Sequence, residues 1–322
     1  MLIVGLCSGW LASPACRADQ KPPEVLDELV VTGERTGPGM WHVQGGAAQL
    51  WIVGSMSPLP QNIIWRPKQV EHVLESAGRA LVPKPLEIGF ARVLWLLITE
   101  RSLLMVGGSK RLKDVLPANL YVRFALQRAR FTSDPHKWER YRPIIAAAFL
   151  EQAAFHQVGL STRLDLGAAV RTLAKKHHVP IDEIKIAGVR DVLEALKSLS
   201  SATENTCVDA SLVTIESDLP RLVDRAEAWA TGNLERIQNL PEPAAVDACR
   251  AALDAGVGTA DLVALASRTW LDALVRDLKG GGVSLAVVNI DMLLGSGGVL
   301  DALRAQGYRV EGPSDVAASG VR

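Results

Sequence analysis

Apolar residues near the start of the chain come in short blocks. Trp41-His-Val43 and Leu50-Trp-Ile-Val53 flank Gly45-Gly46-Ala47. Glycine supplies the positive φ that tight hairpin turns need, so the stretch predicts two antiparallel strands. A loop over 54–60 leads to Trp65-Arg-Pro67, and Val70, Val73, Leu74 and Ala77 follow at helical spacing. Pro67 suits the first turn of that helix. Arg79-Ala-Leu-Val82 reads as the next strand, broken by Pro83 and Pro85.

The middle of the chain carries a 3.6-residue period. Residues 86–105 are strongly apolar, but Glu87, Arg92, Glu100 and Arg101 interrupt them, which predicts a buried helix ahead of a membrane span. Amphipathic helices are expected over 118–130, 137–157, 164–176 and 189–199. From 203 to 231 the positions Val208, Leu212, Ile215, Leu219, Leu222 and Ala226 fall three and four apart, and Pro220 is expected to kink or split the element. A helix over 259–278 follows. The chain closes with a strand at 283–288, a loop, a helix over 299–305 and a strand at 308–311. Its end repeats the order of its beginning. The expected fold is α+β, with a mixed β-sheet core from two terminal strand-loop-helix-strand units and a large helical insertion between them.

Charge narrows the function classes. The 322 residues carry 35 basic and 35 acidic side chains, so the chain lacks the basic excess of a nucleic-acid binder. With 48% hydrophobic residues it can bury a sizeable core.

The N-terminus poses a targeting question. An apolar run from Met1 to Ala12 ends in Ser13-Pro-Ala-Cys-Arg-Ala18, which resembles a signal-peptidase site with a cut after Ala18. No Lys or Arg precedes the run, and a buried N-terminal segment is the other reading. The expected organisation is a signal peptide over 1–18, an extended lead-in over 19–38, a domain over 39–313 and a flexible tail over 314–322. Removal of the signal leaves only Cys207 and Cys249. In an oxidising compartment they either pair, restricting the unfolded chain by ~4 kcal/mol on the entropy model, or stay as buried free thiols.

Each terminal unit has a loop where an apolar strand runs out, a usual place for chemistry on mixed sheets. The first offers Gly54, Ser55, Met56 and Ser57, the second Asn289, Ile290, Asp291 and Met292; neither holds a histidine. His177 and His178 follow two lysines at a helix end, where cations complement the helix dipole. His136 sits in a turn-like stretch, and His42, His72 and His156 lie singly on predicted elements. No G-x-S-x-G elbow surrounds Ser57, and neither Gly280-Gly-Gly282 nor the glycines at 295–298 match a phosphate-binding loop.

At these loops the chain resembles the TraB/GumN family of exported or membrane-tethered proteins, related to the Tiki metalloproteases, and within it the GumN-like branch. The carriers are Trp41-His-Val43 with Leu50-Trp-Ile-Val-Gly54, Leu59-Pro60, Trp65-Arg-Pro67, Arg142-Pro143, Leu164-Asp165, Arg268-Thr-Trp270, and the ending from Ala286 through Gly295 to Tyr308. The resemblance implies two G-x-x-H motifs and acidic residues around a divalent metal such as Mn, Co or Zn, which would activate water for hydrolysis.

This sequence departs at each such place. Gly54-Ser-Met-Ser57 puts a hydroxyl where the first imidazole is implied, and Asn289-Ile-Asp291-Met292 puts a thioether where the second is. The implied carboxylates fall at Pro83 and at Ile184-Lys185, and the nearest acidic residues are Glu87 and Glu183. Arg268 completes the set of former-site positions. A site stripped of several ligands cannot keep its ion, since changes around the ligands alone cost 10–100-fold. The expectation is a non-catalytic envelope protein, periplasmic or secreted after signal removal, without a cofactor. Its former site would be reduced to a binding or structural pocket for a small ligand or an envelope protein. The rivals are an active metal-dependent hydrolase or peptidase with repurposed ligands, and a helical protein-interaction module.

Overall fold

A computed structural model describes residues 37–63, 68–85, 101–186, 188–241, 243–257, 262–295 and 297–314, all within one compact unit, Arg35–Arg322. The expectations for 1–36, Trp65-Arg-Pro67, Glu87, residues 86–100 of the helix expected over 86–105, and the tail over 315–322 lie outside the described residues; the end of that helix span is instead a 3-10 turn, Arg101–Leu103.

The core is a six-stranded mixed sheet. Strands β1 (Met40–Gly45) and β2 (Ala48–Ser55) form the expected hairpin, with Gly45 opposite Ala48. The two-residue turn places Gly46 at φ +61°, a conformation glycine adopts without a Cβ penalty. After the short β3 (Leu59–Pro60) and helix α1 (Lys68–Ser76), β4 (Arg79–Pro83) enters the same sheet. α1 buries Val70, Val73 and Leu74, the positions its spacing marked. β7 (Val283–Asn289) returns late in the chain and slots between β4 and β2, parallel to both. β8 (Arg309–Glu311) pairs antiparallel with β1. The terminal units thus interleave in one sheet.

One strand comes from the insertion. β6 (Ile181–Ile184) pairs parallel with β4, giving the order β6-β4-β7-β2-β1-β8, while β5 (Leu160–Ser161) pairs only with β3. The apolar runs are explained by position. Leu50 to Val53 and Leu285 to Val288 are all buried, because helices cover both faces of the central strands. At the edge, β6 exposes Asp182 and Glu183, charges that discourage pairing with another chain.

The insertion contains α2 (Ala118–Phe131), α3 (Pro143–Gln157), α4 (Leu166–Lys176), α5 (Val189–Ser198), α6 (Ser201–Val213), α7 (Leu219–Ala230), α8 (Leu234–Gln238), α9 (Ala244–Val257) and α10 (Leu262–Gly280). The helix expected over 137–157 starts six residues late. Trp138 takes φ +69°, residues before Pro143 form turns, and the proline occupies the first helical turn. The break expected at Pro220 is a five-residue π-helical segment, Thr214–Asp218, and the proline again opens the next helix. Cys207 and Cys249 are joined by a disulfide that ties α6 to α9. No described helix is long and apolar enough to cross a membrane.

Candidate functional site

Four parallel strands end along one edge of the sheet. Pairing sets Ile184 beside Pro83, Leu81 beside Ala286, and Gly54 and Ser55 beside Val288 and Asn289. The carboxyl ends of β6, β4, β7 and β2 therefore lie in a row. Strand ends of this kind present loops to a shared crevice. Four positions far apart in sequence, Gly54, Pro83, Lys185 and Asn289, become neighbours along it.

Gly54 is the last buried residue of β2. A Cβ there would come within 3.1 Å of the Trp41 ring and 3.2 Å of Ile290, so glycine lets both side chains pack against the strand end. Ser55 is half-buried, Met56 is buried, and Ser57 is exposed two residues past the strand end. The Pro83 carbonyl accepts a hydrogen bond from Arg171 on α4 at 3.1 Å, and Lys185 is exposed just past β6.

The segment expected to be a loop after β7 is a capped helix. Asn289 is the N-cap of α11 (Ile290–Leu294), its Oδ1 accepting from the backbone N–H of Asp291 at 2.8 Å and of Met292 at 3.4 Å. Met292 is half-buried against the core. Helix α12 (Val299–Ala305) follows before β8. Arg268 stands exposed on α10.

Two residues not singled out from the sequence organise this edge, both on α7. The buried Trp229 indole N–H donates to the Gly54 carbonyl at 2.7 Å. Arg225, one turn earlier and 5% exposed, donates from its guanidinium to Asp291 in an ion pair. One helix face is thus fixed to the ends of both β2 and β7. The signal was present as an arginine lying next to Ala226, within the buried phase of the 203–231 pattern. A charge there needs a partner, because desolvating an unpaired guanidinium costs several kcal/mol. The partner stands 66 residues away, beyond the reach of local periodicity.

The other carboxylates near the edge are matched similarly. Glu183 pairs with Lys84 at 3.2 Å, and Asp165 contacts Arg171, the residue that also binds the Pro83 carbonyl. Glu183, Asp165 and Asp291 each face a cation of the same chain. Among the described residues no group of three or more His, Cys, Asp or Glu is placed to hold a metal ion. Hydroxyl, amide and thioether side chains with one guanidinium-bound carboxylate do not fit a divalent metal that prefers imidazole and carboxylate donors.

No curated protein and no solved structure matches the chain. A family model, described as TraB/PrgY/gumN family, matches residues 39–312, from the start of the β1 region to the end of β8. On this match, which spans every strand of the sheet, the chain belongs to the TraB/PrgY/gumN family.

Proposed function

We propose that the chain is a non-catalytic, GumN-like member of its family, exported to the bacterial envelope, whose ancestral metal site has become a structural joint. The observation that carries this reading is the Arg225–Asp291 pair. A guanidinium fixed within the protein supplies positive charge beside a carboxylate at the strand ends, where a metalloenzyme would place its ion. Charge balance is then internal, and the edge no longer needs a cation from solution. The Trp229–Gly54 bond supports the same reading by holding α7 against the end of β2.

Removal of metal ligands ends water activation, because a bound water's pKa falls towards neutrality only when the ion is held. The remaining groups, Ser57, Asn289 and Met292, offer polarity without a base. Export rests on the apolar N-terminal run with its small-residue end at Ala18.

The test is elemental analysis of the purified mature protein together with a peptidase assay in added Mn, Co or Zn. The expected outcome is less than stoichiometric metal and no turnover. Stoichiometric metal with metal-dependent cleavage would overturn the proposal in favour of a hydrolase with repurposed ligands.

A further inference from the structure

A second concave region lies at the far end of the helical run that carries Arg225. It is a cavity of about 620 Å³ between the loop 107–110 and the first turns of α3 and α6. Its size falls within the range of small-molecule sites. Ser201 opens α6 in its wall, 24 residues before Arg225 in one nearly continuous helical run. The cavity is thus separate from the sheet edge.

Its charges are unequal. The Arg142 guanidinium pairs with Glu204, whose side chain is 7% exposed, and also donates to the Leu196 carbonyl at 2.8 Å. This cation is consumed by the protein. Lys110, on the exposed Gly107-Gly108-Ser109-Lys110 loop, has no ion-pair partner among the described residues. One positive charge is therefore left over in the lining. The amino ends of α3 and α6 add their partial positive charge to the same wall. Met105 and Leu199 supply an apolar surface beside these groups.

We infer that this cavity binds a small organic monoanion, a carboxylate carried on an apolar body. One unpaired ammonium matches one carboxylate. The apolar surface accommodates the carbon frame, and the Arg142–Glu204 pair keeps the wall rigid. A doubly charged anion such as phosphate would meet the Glu204 carboxylate with only one uncommitted cation to offset it.

The test uses benzoate as the probe, with benzyl alcohol and inorganic phosphate for comparison, titrated calorimetrically into the full chain. Benzoate is expected to bind one to one in the roughly millimolar range open to so small a ligand. Benzyl alcohol should bind about tenfold more weakly, and Lys110→Gln should weaken benzoate by about tenfold, the size of one charge-assisted contact. Because Lys110 is exposed and unpaired, Lys110→Gln should melt at the wild-type temperature, so a loss of binding cannot be charged to unfolding. Lys110→Glu should abolish binding. Absence of benzoate binding overturns the inference, as does equal affinity for benzyl alcohol, tighter binding of phosphate, or a normally folded Lys110→Gln with unchanged affinity.

Discussion

Arg225 has a side chain only 6% exposed and one guanidinium nitrogen, Nε, that is buried without a hydrogen-bond partner. Its cost is met mainly through Asp291, which remains 34% open to solvent. Breaking a fully buried pair typically costs ~3–5 kcal/mol, and solvent access on the acidic side reduces that here. Arg225→Leu is therefore expected to lower stability by about 2 kcal/mol, and the double change Arg225→Leu/Asp291→Asn should recover part of it. Urea denaturation of wild type and the two variants checks this; a double variant no more stable than Arg225→Leu would show that Asp291 does not set the cost.

Glu151 on α3 is the opposite case, a carboxyl whose burial pushes its pKa up to about 7. The folded protein holds that proton more tightly than the unfolded chain does. The sign follows: stability associated with Glu151 is full below the ordinary value of 4.5 and is lost as pH rises to about 7. Glu151→Gln should consequently stabilise the protein by roughly 1–3 kcal/mol at pH 8 and hardly change it at pH 4. Denaturation midpoints of wild type and variant at the two pH values decide the matter, and an equal gain at both would point to packing instead of titration.

At the scale of elements, α6, the π-helical turn and α7 form one run from Ser201 to Ala230. It is held in three ways. Arg123 on α2 binds both Asp209 and Glu216, which bracket the start of the π turn. Trp229 fixes the far end to β2. Near the start, the disulfide to α9 closes a loop with a sequence separation of 42 residues. A loop of that size restricts the unfolded chain by about 4 kcal/mol on the entropy model. Replacing both cysteines with alanine is expected to lower the melting temperature by roughly 10 °C. Calorimetry of the variant beside wild type, with and without reductant, measures it. Cys207 is only 4% exposed, so reductant should act slowly on the native state and quickly once the protein opens.

Elements also show where sequence patterns succeed. The β1–β2 hairpin and α1 were legible because each carries its own local signal: Gly46 at the turn, and Val70, Val73 and Leu74 on one face. β6 was not legible, because Ile181-Asp-Glu-Ile184 has two charged residues and only four positions. Its strand character comes from pairing with β4. The short α11 carries no periodic signal, because five residues cannot show a helical period, and what identifies it is the Asn289 cap.

At the scale of the whole molecule, zero net charge coexists with ion pairs at the carboxyl edge of the sheet that join residues far apart in sequence. A neutral total says little about any one site, since each local balance is made by tertiary contacts. Export is the whole-molecule prediction. Expressed with residues 1–18 in place in a bacterial host, the protein should be recovered from the envelope fraction beginning at Asp19, as N-terminal sequencing would report. An intact Met1 in the soluble interior of the cell would refute it.

The sequence by itself determined the class of fold, the strands with unbroken apolar runs and most of the helices. These follow from local periodicity and from residue chemistry, which need no knowledge of distant partners. Tertiary structure alone decided that the ends of β6, β4, β7 and β2 form one edge. It also brought Arg225 to Asp291 and Trp229 to Gly54 across separations of 66 and 175 residues. The physical reason is that burying a charge or a carbonyl demands a partner. The chain meets that demand through space, whichever residue the fold brings near.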